Sequence, residues 1–255
     1  MGLTQSFGIS IAYDGTAYAG WQVQPDQATV QGVLERAAER LNGEPTRILG
    51  AGRTDAGVHA LGQVARFSTP RSLSPRQVPR ALNAFLPEDV SVHRAVAVDP
   101  GFHPIRDALG KHYRYTLRIA EIDDPFDRRH VYRIGGPVDL EAIAQAAENL
   151  LGKHDFGAFQ KSGSPRRSTE RTIARLDVSA VGDYIRIDVV ADGFLYGMAR
   201  NLAGTLLRVG RGDLSAASIH TGLASRSRDI AGPALPARGL CLRNVFYQDW
   251  NGRNV

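Results

Sequence analysis

Apolar and polar positions along this chain fall into two runs of the same element order. From Phe7 to Tyr13, Phe7, Ile9, Ile11 and Tyr13 alternate with Gly8, Ser10 and Ala12, which predicts a half-buried strand. Asp14-Gly15 then turns the chain. Val30, Val33, Leu34, Ala37 and Leu41 recur at helical spacing, and Gly43 stands just beyond them to end a helix. Short strands are expected over 47–51 and 63–67. A helix is expected near 79–86, with Pro79 in its first turn and Leu82 and Phe85 on its apolar side. Val90, Val92, Val96 and Val98 alternate in a further strand. The order is β-α-β-β-α-β.

The second run repeats it. A strand from His112 to Ile119 puts Tyr113, Tyr115, Leu117 and Ile119 on one face and His112, Arg114, Thr116 and Arg118 on the other. Asp139 caps a helix over 140–151 that Gly152 closes. Strands over 173–180 and 184–191 form a hairpin turned at Gly182-Asp183. A helix over about 195–209 carries Leu195, Met198, Leu202, Leu206 and Val209 as its stripe. An extra helix near 215–224 precedes a last strand, Leu240 to Tyr247. The fold class expected is therefore α+β. Two ferredoxin-like halves, residues 1–105 and 106–255, each have an antiparallel sheet with both helices on one face. The halves do not resemble each other in sequence, so the repetition is architectural. A cleft where two such sheets meet is the expected ligand site.

Composition narrows the class. The chain has 255 residues, a formal net charge of +5 and 43% hydrophobic residues, enough for a sizeable core. No apolar run reaches the roughly 20 residues that cross a bilayer. The N-terminal residues lack the charged and apolar regions of a signal peptide. A single Cys241 fits a reducing cytoplasm. Only Lys111, Lys153 and Lys161 are lysines, so the basic charge is almost all Arg, whose planar fork suits phosphate. A GC-rich genome would write the same excess.

The expected connection between the second and third strands stands out. Gly50-Ala51-Gly52-Arg53-Thr54-Asp55-Ala56-Gly57-Val58-His59-Ala60 is long, carries three glycines, and holds a carboxylate beside a guanidinium. Two readings stay open. Asp55 closes an Asx-type turn on its own backbone with Arg53 solvated, or it is an active carboxylate presented on a glycine-shaped loop. By itself Tyr113, on one face with Leu117 and Ile119, reads as a core aromatic, and Arg200, off the apolar stripe of its helix, as a solvated surface residue. Asp55 and His59 are spaced for a metal only if 55–59 is helical, and the glycines argue for loop. No phosphate-cradling Gly-x-x-x-x-Gly-Lys loop and no dinucleotide fingerprint occurs, so no nucleotide cofactor is indicated. Lys161-Ser162-Gly163-Ser164-Pro165-Arg166-Arg167-Ser168 has the composition of a phosphate-contacting loop. Arg106, Lys111, Arg114 and Arg118 form a second basic group. Together they suit RNA better than a small metabolite.

Gly52-Arg53-Thr54-Asp55-Ala56-Gly57-Val58-His59 resembles the signature motif of the tRNA pseudouridine synthase A family. Other segments agree in order. Tyr13-Asp14-Gly15-Thr16-Ala17-Tyr18-Ala19-Gly20-Trp21-Gln22-Val23-Gln24 resembles its N-terminal segment, Thr29-Val30-Gln31-Gly32 its first helix and Lys111-His112-Tyr113-Arg114-Tyr115 its Tyr-Arg-Tyr strand. His154-Asp155-Phe156 and Arg171-Thr172-Ile173 also fit. Phe194 to Gly204 resembles its arginine helix and Pro236-Ala237-Arg238-Gly239-Leu240 its C-terminal segment. Gly157, Ala158, Gly197 and Ala199 depart from the family pattern.

The resemblance implies isomerisation of uridine to pseudouridine at positions 38, 39 and 40 of the tRNA anticodon stem-loop. It implies a homodimer in the cytoplasm, without metal or cofactor, that contacts tRNA and no membrane. Asp55 matches the catalytic aspartate, Tyr113 the active-site tyrosine and Arg200 its arginine partner. Arg53, on the Asp55 loop, would fill the space left by a flipped nucleotide. Leu240 is a further expected substrate contact, with Arg166 and Arg167 of the basic loop. Two other classes compete on the residues alone. A non-catalytic RNA-binding module would stack single strands on its sheet, although an Arg-Gly-Phe-Gly-Phe strand is absent. A metal-dependent phosphodiesterase would use Asp55, His59 and Asp14.

Overall fold

The computed structural model describes residues 4–161, 168–225 and 228–248. The chain divides into two compact units, Met1–Leu109 with Leu242–Val255, and Gly110–Cys241. The division falls four residues after the expected one, and the last strand opens in the second unit and passes into the first.

In the first unit β1 (Gln5–Tyr13) ends where the Asp14 carboxylate accepts the Thr16 N–H at 2.9 Å and starts a 3-10 turn over Gly15–Ala17. Helix α1 (Val30–Asn42) begins at Thr29, whose hydroxyl accepts the Gly32 N–H. It ends at Gly43, with φ of 80°. Val30, Val33, Leu34, Ala37 and Ala38 are its buried side. Then come β2 (Leu49–Gly50), β3 (His59–Thr69), α2 (Gln77–Asn83) and β4 (Val90–Ala97). The strand order is β4-β1-β3-β2 and every pairing is antiparallel, with Ile9 opposite both Ala65 and Ala95. This is the expected ferredoxin-like unit. Its third strand begins at His59, four residues before the expected start, because His59 and Ala60 are both buried and so show no alternation that marks a strand. Phe85 falls outside the shortened α2, and its ring lies 5.0 Å under the Arg40 guanidinium.

The second unit runs β5 (Gly110–Ile119), β6 (Tyr132–Ile134), α3 (Leu140–Glu148), β7 (Gly152–Asp155), β8 (Glu170–Val181), β9 (Tyr184–Ala191), α4 (Met198–Gly210), α5 (Ala216–Ser225) and the opening of β10 (Leu240–Phe246). Strands β5, β9, β8 and β7 are neighbours in that order and antiparallel, while β6 lies parallel to β5. Strands β6 and β7 are too short and polar to show a period, which is why the hydrophobic pattern passes over them. Gly152 opens β7 with φ of 88°, and α3 stops at Glu148, three residues short of the expected end. The hairpin turn at Gly182-Asp183 is as expected.

Helix α3 packs on α4 and β8, and α4 packs on β5. Tyr113, Tyr115 and Leu117 of β5 are buried with Ile185, Ile187 and Val189 of β9. On the opposite face of these strands Asp188 accepts from His112 Nε2 at 2.6 Å and from Arg114 Nε at 2.9 Å. Burial alone would raise the Asp188 carboxyl, but the His112 and Arg114 hydrogen bonds and charges outweigh it and hold the group below its usual range.

Candidate active site

The Asp55 loop rests on the segment that follows β1. The Ala51 N–H donates to the Val64 carbonyl at 2.7 Å and closes the loop at its start. The Thr54 carbonyl accepts the Trp21 N–H at 3.0 Å, and its Oγ1 lies 2.8 Å from the buried Tyr13 hydroxyl. Gly57 N–H donates to Tyr18 O at 3.3 Å. The Val58 N–H returns to the Asp55 carbonyl at 3.1 Å and closes a turn over 55–58. Gly57 occupies the third place of that turn with φ of 77°, which L side chains rarely adopt.

The bed admits no side chain at Gly20 or Gly50. Gly20 has φ of 99°, and a Cβ there would sit 2.6 Å from the Thr54 carbonyl oxygen. A Cβ on Gly50 would meet the Trp21 indole at 2.4 Å, and that indole is fully buried. Each contact fixes Thr54 or its flanks. The result is a half-buried Asp55 between exposed Ala56 and exposed Arg53, one residue from an anchor held at two atoms. The turn at Asp55 is closed by its main-chain carbonyl.

His59 opens β3 and is buried, its Nδ1 accepting the Gly15 N–H at 3.1 Å with an Asp14 carboxylate oxygen also at 3.1 Å. Residues 55–59 form a turn and the first residue of a strand. The four-residue spacing therefore does not put Asp55 and His59 on one helical face.

In the second unit Tyr113 lies on β5 and is 6% exposed, its ring edge-on to Phe194 with centroids 4.8 Å apart. Arg200 is the third residue of α4 and is half-buried. Its Nε donates to the Leu235 carbonyl at 2.6 Å, and the Leu235 N–H returns to the Arg200 carbonyl at 3.3 Å. The solvated reading of this arginine does not hold. The helix starts at Gly197, with φ of 72°, where a Cβ would strike the Lys161 side chain at 2.7 Å. Glycine at this departure from the family pattern suits the positive φ of its backbone, which L side chains rarely adopt.

Leu240 opens β10 and is 6% exposed. Arg166 and Arg167 lie outside the described residues. The second basic group is largely spent on ion pairs: Arg106 with Asp107 at 2.7 Å, Arg114 with Asp188, and Arg118 with Asp127 at 3.0 Å and Asp124 at 3.2 Å. As a phosphate-binding patch it is weaker than its sequence suggests.

A family model described as tRNA pseudouridine synthase matches residues 9–105 and 146–248. The chain belongs to that family. A tRNA pseudouridine synthase A of Moorella thermoacetica is 48% identical over 241 residues, covering 94% of this chain and 98% of that protein. The proteins of the same name from Geotalea daltonii and Myxococcus xanthus are 42% and 44% identical. Each alignment covers 94% of this chain, and 98% and 91% of those proteins respectively. As a member of this family the chain is an isomerase of tRNA uridines. Among the described residues no helix is long and apolar enough to cross a membrane.

Two parts of this synthase escaped the residue-level reading. One is the bed of Tyr13, Tyr18, Gly20 and Trp21 under the Asp55 loop, and the other is the Leu235-Pro236 segment against Arg200. The first left a trace in sequence, two glycines and a Trp in a segment with no period. The second left none, because a main-chain carbonyl carries no residue identity.

Proposed function

We propose that this synthase converts uridine to pseudouridine at positions 38, 39 and 40 of the tRNA anticodon stem-loop, with Asp55 as the catalytic carboxylate. The observation that carries the reading is the anchoring of Thr54 at both its carbonyl and its hydroxyl, which gives the adjacent Asp55 a fixed backbone. A group that must meet one atom of a substrate gains rate from such placement.

The reaction breaks the N1–C1′ bond, turns the base, joins C5 to C1′ and releases the C5 proton, while N1 gains one. Asp55 acts on the ribosyl–base unit as an anionic nucleophile or base. Arg200, the arginine partner in this reading, supplies a planar, permanently charged donor to the reaction. Tyr113 offers the base an aromatic surface and a hydroxyl able to relay the C5 proton. Arg53 fills the gap left by the flipped nucleotide, a step costing a few kcal/mol. Arg166, Arg167 and Leu240 contact the RNA.

The protein acts in the cytoplasm as a homodimer, and a monomeric mass at micromolar concentration would overturn the dimer. Serving three adjacent sites requires the stem-loop to shift in the site, and modification of only one of them would refute that. The central test is release of tritium from tRNA carrying 5-tritiated uridine, with chelator present. Release by the unaltered protein and none by Asp55→Ala, with tRNA still bound, is expected. Release by Asp55→Ala at a comparable rate overturns the assignment.

A further inference from the structure

The segment Gly232–Leu240 is tied to both elements that carry the second unit's site residues. At its start the Gly232 N–H donates to the buried Thr205 hydroxyl of α4 at 2.7 Å. A Cβ on Gly204 would sit 2.0 Å from the Pro233 carbonyl oxygen, so this stretch lies directly on the helix. Three residues on, Leu235 exchanges two hydrogen bonds with Arg200, carbonyl to Nε and N–H to carbonyl.

The next carbonyl is held from the sheet. The Tyr115 hydroxyl donates to Pro236 O at 2.7 Å, and the Tyr115 ring is buried. Gly239 closes the strap against that ring, since a Cβ there would fall 2.5 Å from Tyr115 Cζ. Burial pushes the phenol up, and the Arg200 charge acts in the opposite sense without offsetting it. The hydroxyl stays protonated and keeps its donor role. Two successive carbonyls are thus fixed by two different elements, Leu235 by the arginine of α4 and Pro236 by the tyrosine of β5.

We propose that Tyr115 is a positioning residue for Arg200: its hydroxyl sets the Pro236 carbonyl, and the strap in turn sets the guanidinium through Leu235. Tyr115 itself touches no substrate. Its partner Tyr113, two residues earlier on the same face of β5, is the one proposed to meet the base, so the two tyrosines divide contact from support. A planar guanidinium held at Nε presents its terminal nitrogens in one plane. A strap released at the next carbonyl leaves that plane free to tilt, and small misplacements of a reacting group are expensive in rate.

The inference rests on Arg200 taking part in turnover, as proposed above. Single-turnover tritium release and tRNA affinity are measured for Tyr115→Phe, Arg200→Lys and the double variant, with thermal melting to confirm folding. Tyr115→Phe is expected to slow the chemical step about tenfold with tRNA affinity unchanged. In the Arg200→Lys background, where the Nε donor is gone, the same change is expected to slow it less than about twofold, the non-additivity of residues acting as one unit.

An equal slowing by Tyr115→Phe in both backgrounds overturns the positioning role, as does an effect on affinity alone. Normal turnover by Arg200→Lys and by Arg200→Ala overturns the role of Arg200 instead, a result distinct from either. Thr205→Val, which loosens the far end of the strap without touching Tyr115, is expected to give a smaller loss of the same kind. Were Tyr115→Phe to melt before assay, equal losses by Thr205→Val in both backgrounds would refute the strap.

Discussion

Asp55 and Arg200 are held by opposite means. Asp55 sits outside any regular element, in a loop kept in shape by close main-chain approach: Gly20 under the Thr54 carbonyl, Gly50 under an indole, Gly57 at positive φ. Arg200 sits on a thirteen-residue helix whose backbone is fixed by its own ladder, and only its long side chain needs an external hold. A short carboxylate has little reach, so the protein fixes the backbone beneath it. A long guanidinium has reach to spare, so the protein fixes its Nε. Each unit uses one buried tyrosine hydroxyl in this work, Tyr13 on Thr54 and Tyr115 on Pro236.

The contrast can be broken at several strengths. Asp55→Asn keeps the loop and removes the charge. Tritium release should fall on the order of 10⁴-fold, as for loss of a principal catalytic group, with filter-bound tRNA near normal. Next, Arg200→Lys keeps the charge and loses the Nε donor, and kcat should fall about 10- to 100-fold in steady-state assays. Gly20→Ala forces a Cβ against Thr54 at positive φ and should lower stability by about 1–3 kcal/mol in urea melts, with turnover falling alongside. Gly43→Ala also adds a Cβ at positive φ, but nothing lies within 4 Å there. It should cost about 1–2 kcal/mol and leave turnover per folded molecule untouched. Equal activity losses at the two glycines would refute the bed.

Tyr13→Phe should cost about 1 kcal/mol and slow turnover by less than about tenfold, because Thr54 keeps its Trp21 bond. The smallest effect concerns acid. A carboxyl whose pKa is depressed by folding adds stability that is fully present above its unfolded value of 3.8 and is lost as pH falls through its lower folded value. Asp188→Asn should therefore weaken the fold at neutral pH and flatten the decline of stability below about pH 4. An unchanged decline would remove Asp188 from the account.

The legible and illegible parts of this chain divide along the same line. Helix α1 and strands β5 and β9 could be read because each buries mainly one face, and burial imposes a period on Val, Leu and Ile. Helix α4 and strand β1, buried nearly all round, could be read because their large apolar residues still recur at helical and strand spacing. The antiparallel ferredoxin-like order followed from their sequence. Gly52 to His59 announced itself by composition, yet its shape depends on Tyr13, Tyr18 and Trp21, more than thirty residues away from Asp55. Long-range packing of an aperiodic segment leaves only scattered glycines and aromatics behind. The Arg200 hold is less visible still, since any residue but proline at 235 could supply both its carbonyl and its N–H. The early start of β3 and the polar strand β7 were hidden for the related reason that neither shows a hydrophobic alternation.

The first unit is built from two stretches of chain with the whole of the second unit between them. Leu109 donates its N–H to the Phe246 carbonyl, Tyr247 donates its hydroxyl to Pro104 O at 2.7 Å, and the Tyr247 ring stacks obliquely on Phe102 at 5.4 Å. Gly62 is glycine because the Arg243 carbonyl comes to 2.3 Å from where its Cβ would be. On a ribosome adding about 5–20 residues each second, the partners of Leu109 and Pro104 arrive roughly 7–30 s after those residues themselves. The unit that bears the Asp55 loop thus waits, open along one strand, while the whole of the other is synthesised and free to fold. Of the two units, the one that starts earlier is completed later, and the aspartate loop belongs to it.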